Sequence, residues 1–418
     1  SAAKRLLPHD SPGRLVIDVE VPGRLAQLEQ RRLHGDTIAC EDRTREGVRR
    51  RLIDQAEHAV PLAVRVDMGG DDRPEQLVAH QPEARVVGLD QRRPDEPALR
   101  VVDLAAGDDL EIRDDLVIPA GDGLIALGGG SSMDCAKGVA IAATHDGPLT
   151  HYATIEGGSP RISSKVLPLI AIPTTAGTGS EVARGAILIV DDGRKLGFHS
   201  WHLVPKTALL DPDLTLGLPP LLTAATGMDA MAHCMETFMS AAFNPPADGI
   251  ALDGLQRGWT HIEQATLHGD DLNARLQMMS ASMQGAMAFQ KGLGCVHSLS
   301  HSLGGLNPRL HHGTLNAVFL PAVIQFNAAA PSIQKDHRLE RMAHAMGVSV
   351  GSNPANALGQ AIRDMNARLG LPSGLQAMGV STAMFDDIIR GALADHSHQT
   401  NPRLASPQDY REMLQASM

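Results

Sequence analysis

The chain has few aromatic residues, few cysteines and no long apolar run. Phe, Trp and Tyr make up 3% of its 418 residues, and its four cysteines, Cys40, Cys135, Cys234 and Cys295, form no CxxC pair. Such spacing argues against both a disulfide framework and a thiolate zinc site, so we expect reduced, buried thiols. Because no run of about 18 uninterrupted apolar residues is available to cross a bilayer, we expect no membrane partner.

The chain also lacks a positive charge balance and a leader-like segment. Its formal net charge is -11, which would repel phosphate backbones, and no basic stripe or aromatic platform offsets it. We therefore expect no nucleic-acid partner. Residues 1–8 carry two basic side chains, but no apolar run of signal-peptide length follows them, so we expect a cytoplasmic protein.

Residues 1–120 differ in composition from the rest of the chain. They contain no Phe, Trp or Tyr and a single lysine, Lys4. Leu15 to Val21 is typical of a strand, but the remainder lacks sustained apolar periodicity. A reading-frame error in the gene sequence, or a divergent segment, would explain the change near residue 121.

The length predicts two domains, because 418 residues exceed the usual size of one core. We expect an α/β nucleotide-binding domain over residues 1–215 and a helical domain over residues 216–418. In the first, short apolar strands are predicted at 124–127, 166–172, 186–190 and 208–210, with a helix from Ser131 to about Ala143. After Pro219 and Pro220, long helical patterns dominate.

A glycine-rich segment follows the first of these strands. In Gly128-Gly-Gly-Ser-Ser-Met-Asp-Cys-Ala-Lys137 the glycines let the backbone approach a diphosphate, and the start of the helix offers unpaired N–H groups. Alternatively, Ser131 is the N-cap and Asp134 completes a capping box, so that the glycines form only a tight turn.

A second polar segment follows the next buried strand. Pro173-Thr-Thr-Ala-Gly-Thr-Gly-Ser-Glu181 lies where open α/β sheets bind ligands, and its hydroxyls suit a nucleotide. The alternative is an ordinary Ser/Thr-rich turn that caps the next element.

The strongest chemical pattern is a set of histidines with one aspartate. Asp229-Ala-Met-Ala-His233 places a carboxylate and an imidazole on one helix face, so both can reach one metal ion. Gly294-Cys-Val-His-Ser-Leu-Ser-His301 and Leu310-His-His-Gly313 add further imidazoles. An isolated core histidine is usually structural, but this crowding favours a metal site, and oxygen with imidazole ligands suits Fe(II), Zn or Mn.

These motifs together resemble the iron-containing alcohol dehydrogenase family. Gly-Gly-Gly-Ser-x-x-Asp-x-x-Lys, Pro-Thr-Thr-x-Gly-Thr-x-Ser-Glu, Asp-x-x-x-His and His-x-x-x-His ahead of His-Gly occur in the family's order. The resemblance covers about residues 121–418. It implies a dehydroquinate synthase-like fold, with an α/β nucleotide-binding domain of mainly parallel sheet and an all-α metal-binding domain, and we expect a homodimer.

The resemblance also assigns residue roles. The implied metal ligands are Asp229, His233, His297 and His312, although the adjacent His311 leaves the fourth ligand open. His301 is placed near the nicotinamide. The positions that match cofactor contacts are Gly129, Gly130, Ser131, Asp134, Thr174, Thr175, Thr178 and Lys195. The implied metal is Fe2+, with Zn2+ as the alternative, and the cofactor is NAD or NADP.

The implied function is hydride transfer between NAD(P) and a small primary alcohol or aldehyde. The metal would act as a Lewis acid, and His301 would pass the proton, unless it only positions His297. A helical pocket poor in aromatics would accept several small alcohols. The alternatives are a glycerol dehydrogenase, a metal-independent relative such as maleylacetate reductase or dehydroquinate synthase, and a catalytically dead binding protein. Asp229 with three further histidines argues against metal loss.

Overall fold

The computed structural model describes residues 85–90, 98–102, 123–190 and 194–418. The predicted strand at Leu15 to Val21, and Cys40, lie outside these residues. Cys135, Cys234 and Cys295 are free and buried, as the sequence predicts for reduced thiols.

A five-stranded sheet forms the first part of the fold. Its strands are β1 (Arg85–Asp90), β2 (Ala98–Val102), β3 (Leu124–Gly128), β4 (Leu169–Pro173) and β7 (Thr207–Ala208). They lie in the order β2-β1-β3-β4-β7. The β3, β4 and β7 strands are parallel, whereas β1 is antiparallel to both of its neighbours. Because Gly128 is opposite Pro173 in the β3–β4 register, the loops after these two strands leave the sheet side by side.

A helix and a small second sheet flank this layer. Helix α1 (Gly130–Ala142) follows β3 directly, and β5 (Gly185–Ile189) pairs antiparallel with β6 (Lys195–His199). The predicted strand at residues 166–172 begins three residues later, after Pro168, which has no N–H to donate to a ladder. The strand–turn–helix unit predicted around Gly128 is confirmed.

The rest of the chain is helical, as predicted. The helices are α2 (Pro220–Met239), α3 (Pro245–Leu267), α4 (Leu272–Ala288), α5 (Cys295–Leu306), α6 (His312–Asn327), α7 (Pro331–Lys335), α8 (Arg338–Ala345), α9 (Pro354–Arg368), α10 (Phe385–Ala394) and α11 (Pro407–Ala416). The side chains of Asn244, Asp271, Asn353 and Ser406 cap α3, α4, α9 and α11 by accepting backbone N–H groups. Within the described part of the chain, no helix combines the length and apolarity needed to cross a membrane.

Helix α2 lies at the centre of the helical core. Every residue from Thr223 to Met239 is buried, and its apolar side chains pack against α3, α4 and α6. A helix that is covered on all sides has no solvent to satisfy its polar side chains. The charged and imidazole groups of α2 therefore need partners inside the protein, and these partners define the candidate site.

Candidate active site

The centre of the site is a buried carboxylate on α2. Asp229 is 3% exposed, and Oδ1 lies 3.8 Å from Nε2 of His233 one turn later. Burial disfavours the carboxylate, but the surrounding His233, His312 and His297 outweigh it and hold the pKa of Asp229 far below its usual value. The site is therefore built around a negative charge.

His297 approaches the same carboxylate from α5. Its Nε2 lies 3.7 Å from Asp229 Oδ1, and its ring stacks on that of His233 with centroids 4.7 Å apart. Its Nδ1 donates to Oε2 of Glu236 over 2.5 Å. Burial lowers the pKa of His297, but bonds to Asp229 and Glu236 raise it overall to about 9.

The structure places His312, rather than His311, beside this cluster. His312 begins α6, and its Nε2 lies 3.6 Å from Asp229 Oδ1. His311 is the exposed N-cap residue of the same helix. Burial holds the pKa of His312 well below its usual value, which keeps the ring neutral and available as a ligand.

The site also contains an amide and a carboxylate that the sequence did not indicate. Asn316 Nδ2 donates to Asp229 Oδ1 over 2.7 Å and lies 3.3 Å and 3.2 Å from Nε2 of His297 and His312. Its spacing of four residues from His312 on α6 was the available signal. Glu236 was also missed, although it follows His233 by three residues on α2.

The donor set fits a divalent metal. The ligand atoms of Asp229, His233 and His297 all lie within 4.8 Å of one another, and all three residues are buried. One carboxylate with imidazoles is typical of Fe(II) or Zn sites, and a metal ion would replace the proton that the raised pKa places on His297. Glu236 fixes the ring of His297 so that Nε2 faces the cluster, as outer carboxylates do around metal-binding histidines.

His301 lies one helical turn beyond His297 and makes a second Asp–His pair. Its Nδ1 donates to Asp395 Oδ2 over 2.9 Å, and its ring stacks on His312 with centroids 5.1 Å apart. Burial opposes ionisation of Asp395, but His301 lowers the pKa of that carboxyl overall. Sequence reasoning missed Asp395 because 94 residues separate it from His301.

The two loops predicted to bind the nucleotide are adjacent. Thr174 N donates to Gly128 O over 2.9 Å, and a Cβ built on Gly130 would lie 2.5 Å from Cγ2 of Thr178. A Cβ on Gly129 would lie 3.5 Å from Thr175. The glycines thus let the first turn of α1 approach the threonine loop closely.

The capping-box alternative is wrong. Gly129, and not Ser131, is the N-cap of α1, and it makes no side-chain cap hydrogen bond. Ser131 is exposed in the first turn. The N–H groups at the start of α1 therefore lack a side-chain cap in a turn that lies close to the threonine loop, an arrangement that suits an anion.

Asp134 and Lys137 tie α1 to the segment after the threonine loop. Asp134 accepts from Ser180 Oγ over 2.6 Å and from Ile187 N over 2.9 Å. Lys137 Nζ donates to the carbonyls of Ser180, Ala183 and Gly185. Burial lowers the pKa of Lys137 to about 8. The contacts of Asp134 are those of a residue that positions the loop, and a direct cofactor contact stays a prediction, as it does for the exposed Lys195 at the start of β6.

Comparison with known proteins decides the family. Residues 112–212 match the model of iron-containing alcohol dehydrogenase, and residues 223–418 match the C-terminal model of the same family. The chain belongs to the iron-containing alcohol dehydrogenase family. The resemblance inferred from the four motifs is confirmed, and so is the fold class.

Several family members are closely similar. A 4-hydroxybutyrate dehydrogenase of Cupriavidus necator is 68% identical over 301 residues, which are 71% of this chain and 78% of that protein. The crystal structure of a 1,3-propanediol oxidoreductase is 35% identical, with a TM-score of 0.66 over 70% of this chain and 76% of that one. The crystal structure of a sulfoacetaldehyde reductase from Bifidobacterium kashiwanohense in complex with NAD+ is 28% identical, with a TM-score of 0.63. The match covers 70% of this chain and 75% of that one.

Proposed function

We propose that this protein is a metal-dependent dehydrogenase that transfers a hydride between NAD(P) and a small primary alcohol or its aldehyde. The observation that carries the proposal is the convergence of three imidazoles on one buried carboxylate, with His233, His297 and His312 each within 3.8 Å of Asp229 Oδ1. We assign these four residues as the metal ligands, with Fe2+ favoured by the family and Zn2+ as the alternative. We propose that each chain has two domains, residues 1–215 and 216–418, and that two chains form a homodimer.

The cofactor is proposed to lie across the two adjacent loops. Gly129, Gly130 and Ser131 at the start of α1 would hold the diphosphate through backbone N–H groups and the helix dipole. Thr174, Thr175 and Thr178 would donate hydroxyls from the second loop, and Lys195 would lie nearby on β6. The NAD+ complex of the sulfoacetaldehyde reductase supports a nicotinamide cofactor.

A metal ion held by Asp229, His233, His297 and His312 would supply Lewis-acid polarisation of the substrate oxygen, and the nicotinamide would supply the hydride acceptor. The protein's own residues would orient the metal ligands and transfer the proton. Glu236 directs Nε2 of His297 towards the cluster, and Asn316 donates to Asp229. His301, with Nδ1 held by Asp395, has Nε2 free to take the hydroxyl proton towards solvent.

The substrate is proposed to be small and to carry a second polar group. Two similar proteins are named for compounds of this kind, 4-hydroxybutyrate and sulfoacetaldehyde, each with an anionic group at the end opposite the reacting carbon. We expect 4-hydroxybutyrate to be oxidised faster than unsubstituted alcohols.

The test uses the full chain, loaded in turn with Fe2+ and Zn2+ and assayed with NAD and NADP. We expect about one metal ion per chain, reduction of the nicotinamide by C2 to C6 alcohols, diols and 4-hydroxy acids, and loss of turnover on chelation. A metal-loaded, folded protein that reduces neither cofactor with any of these compounds would contradict the proposed function.

A further inference from the structure

A row of imidazole rings continues from the metal-ligand cluster to the end of β6. The ring of His301, which stacks on His312, lies 6.0 Å from that of His396, and His396 lies 5.4 Å from His199. His396 begins a short 3-10 helix, His396–Thr400, whereas His199 ends β6. The row therefore joins the helical part of the chain to the α/β part.

A cation, Arg184, lies beside the far end of the row, where its carbonyl accepts from the N–H of Ser200, the residue after His199, over 3.0 Å. Burial is the main cause of the lowered pKa of both His199 and His396, and the charge of Arg184 contributes to each. The Arg184 guanidinium stacks over Trp201, with Cζ 4.9 Å from the ring centroid. Among the described residues, no carboxylate pairs with it.

The ring of His199 is held in one orientation. Its Nδ1 lies 2.8 Å from Thr154 Oγ1. A Cβ at Gly185 or at Gly197 would lie 3.0 Å from a ring atom of His199. Glycine at both positions therefore leaves room for the ring. With Nδ1 engaged by the threonine hydroxyl, Nε2 is the atom that remains for a ligand.

We propose that Arg184, His199 and His396 form a carboxylate subsite that selects ω-hydroxy acids as substrates of this enzyme. The inference rests on the proposed function and places the hydroxyl of the substrate at the Asp229 cluster. The His301 ring lies between the two ends, with its centroid 5.1 Å from that of His312 and 6.0 Å from that of His396, so a substrate that contacts both ends must pass this ring.

The chemistry of the three side chains suits a carboxylate. A guanidinium donates to carboxylate oxygens in a planar fork, and neutral imidazoles add N–H donors. The nearby acid, Asp395, does not take these donors, because it accepts from His301 Nδ1 and from Ser397 N. Its Oδ1 lies 3.7 Å from His396 Nδ1, which is beyond hydrogen-bond distance, so the single N–H of a neutral His396 can be on Nε2 and donate to the substrate.

The experiment compares 4-hydroxybutyrate with 1-butanol, which has the same carbon chain without the carboxylate. In Arg184→Gln and in His396→Gln, we expect the ratio of kcat/KM for 4-hydroxybutyrate to that for 1-butanol to fall about 10- to 100-fold, mainly through KM. His202→Gln removes an exposed imidazole close to Trp201 and is the matched control, with an unchanged ratio.

Two measurements separate this inference from the proposed function. Suppose that the wild-type enzyme oxidises 1-butanol, and that the ratio of kcat/KM values in both variants stays within about threefold of the wild-type ratio. The proposed subsite is then overturned, whereas the proposed dehydrogenase function stands. If the wild-type enzyme oxidises neither compound, the proposed function fails. Calorimetric titration of 4-hydroxybutyrate into enzyme saturated with reduced cofactor then still tests the subsite. We expect weaker binding in both variants than in the wild-type enzyme, and equal binding would overturn the subsite.

Discussion

Nδ1 of His297 lies 2.5 Å from Oε2 of Glu236, and both side chains are buried. The other oxygen of Glu236 accepts from Val296 N over 2.7 Å. The start of α5 is thereby held against α2, and the His297 ring is oriented with Nε2 towards Asp229. Because a carboxylate also increases the basicity of the imidazole it holds, Glu236 is expected to strengthen metal binding.

Glu236→Gln tests that relationship. The amide keeps the volume, but it removes the negative charge and one acceptor, so we expect metal affinity to fall about 10- to 100-fold. Metal titration by calorimetry measures the change. Glu412→Gln, at an exposed position of α11, is the control. A metal affinity equal to wild type in Glu236→Gln would contradict the assignment of His297 as a ligand.

Asp395→Asn tests the orientation of His301. Asparagine can no longer accept from Nδ1 through a charged oxygen, so the ring loses its preferred tautomer and we expect kcat to fall about tenfold or more. Metal content should remain that of wild type, because Asp395 contacts none of the four proposed ligands. Asp387→Asn, at an exposed position of α10, serves as control. Unchanged kcat in Asp395→Asn would show that His301 needs no such positioning.

Gly129→Val tests the nucleotide loop. A Cβ at this position meets only ordinary contacts with Thr175 in the free protein, so the fold should tolerate it while the space for a diphosphate is filled. We expect cofactor binding, followed by nicotinamide fluorescence, to be lost with the metal retained. Gly217→Val, in open space, is the control. Normal cofactor affinity in Gly129→Val would indicate a purely structural turn.

Gly130→Val should behave differently from Gly129→Val. A Cβ at Gly130 would lie 2.5 Å from the Thr178 side chain, so we expect the midpoint of thermal unfolding to drop as well as cofactor binding. Equal thermal midpoints in the two variants would contradict the close approach of α1 to the threonine loop.

Lys137→Met tests the link between α1 and the segment that follows the threonine loop. Methionine fills the space but donates to none of the carbonyls of Ser180, Ala183 and Gly185. Leaving them and Asp134 without this cation should lower the free energy of unfolding by about 3 kcal/mol. Chemical denaturation measures the loss, and Lys165→Met at an exposed position should change stability by less than about 0.5 kcal/mol.

Much of the fold was predictable because its signals are local. A short apolar run, three glycines and a helical pattern predicted the unit that became β3 and α1, and the long helical patterns after Pro219 and Pro220 predicted the helical part. The residues at which helices and strands begin and end were decided by packing. Gly129 is the N-cap of α1 instead of Ser131, and the helix begins at Gly130, where a Cβ would lie 2.5 Å from Thr178 Cγ2.

The sequence by itself determined the family, the order of its motifs and the pairing of Asp229 with His233, because residues four apart on a helix share a face whatever surrounds them. Only the tertiary structure decided that His312 lies beside Asp229, and that Glu236 and Asp395 hold His297 and His301 from 61 and 94 residues away. Helical periodicity carries no information across such separations. Buried polar groups need partners, and the packing of α2, α5 and α6 around one core determines which side chains those partners are.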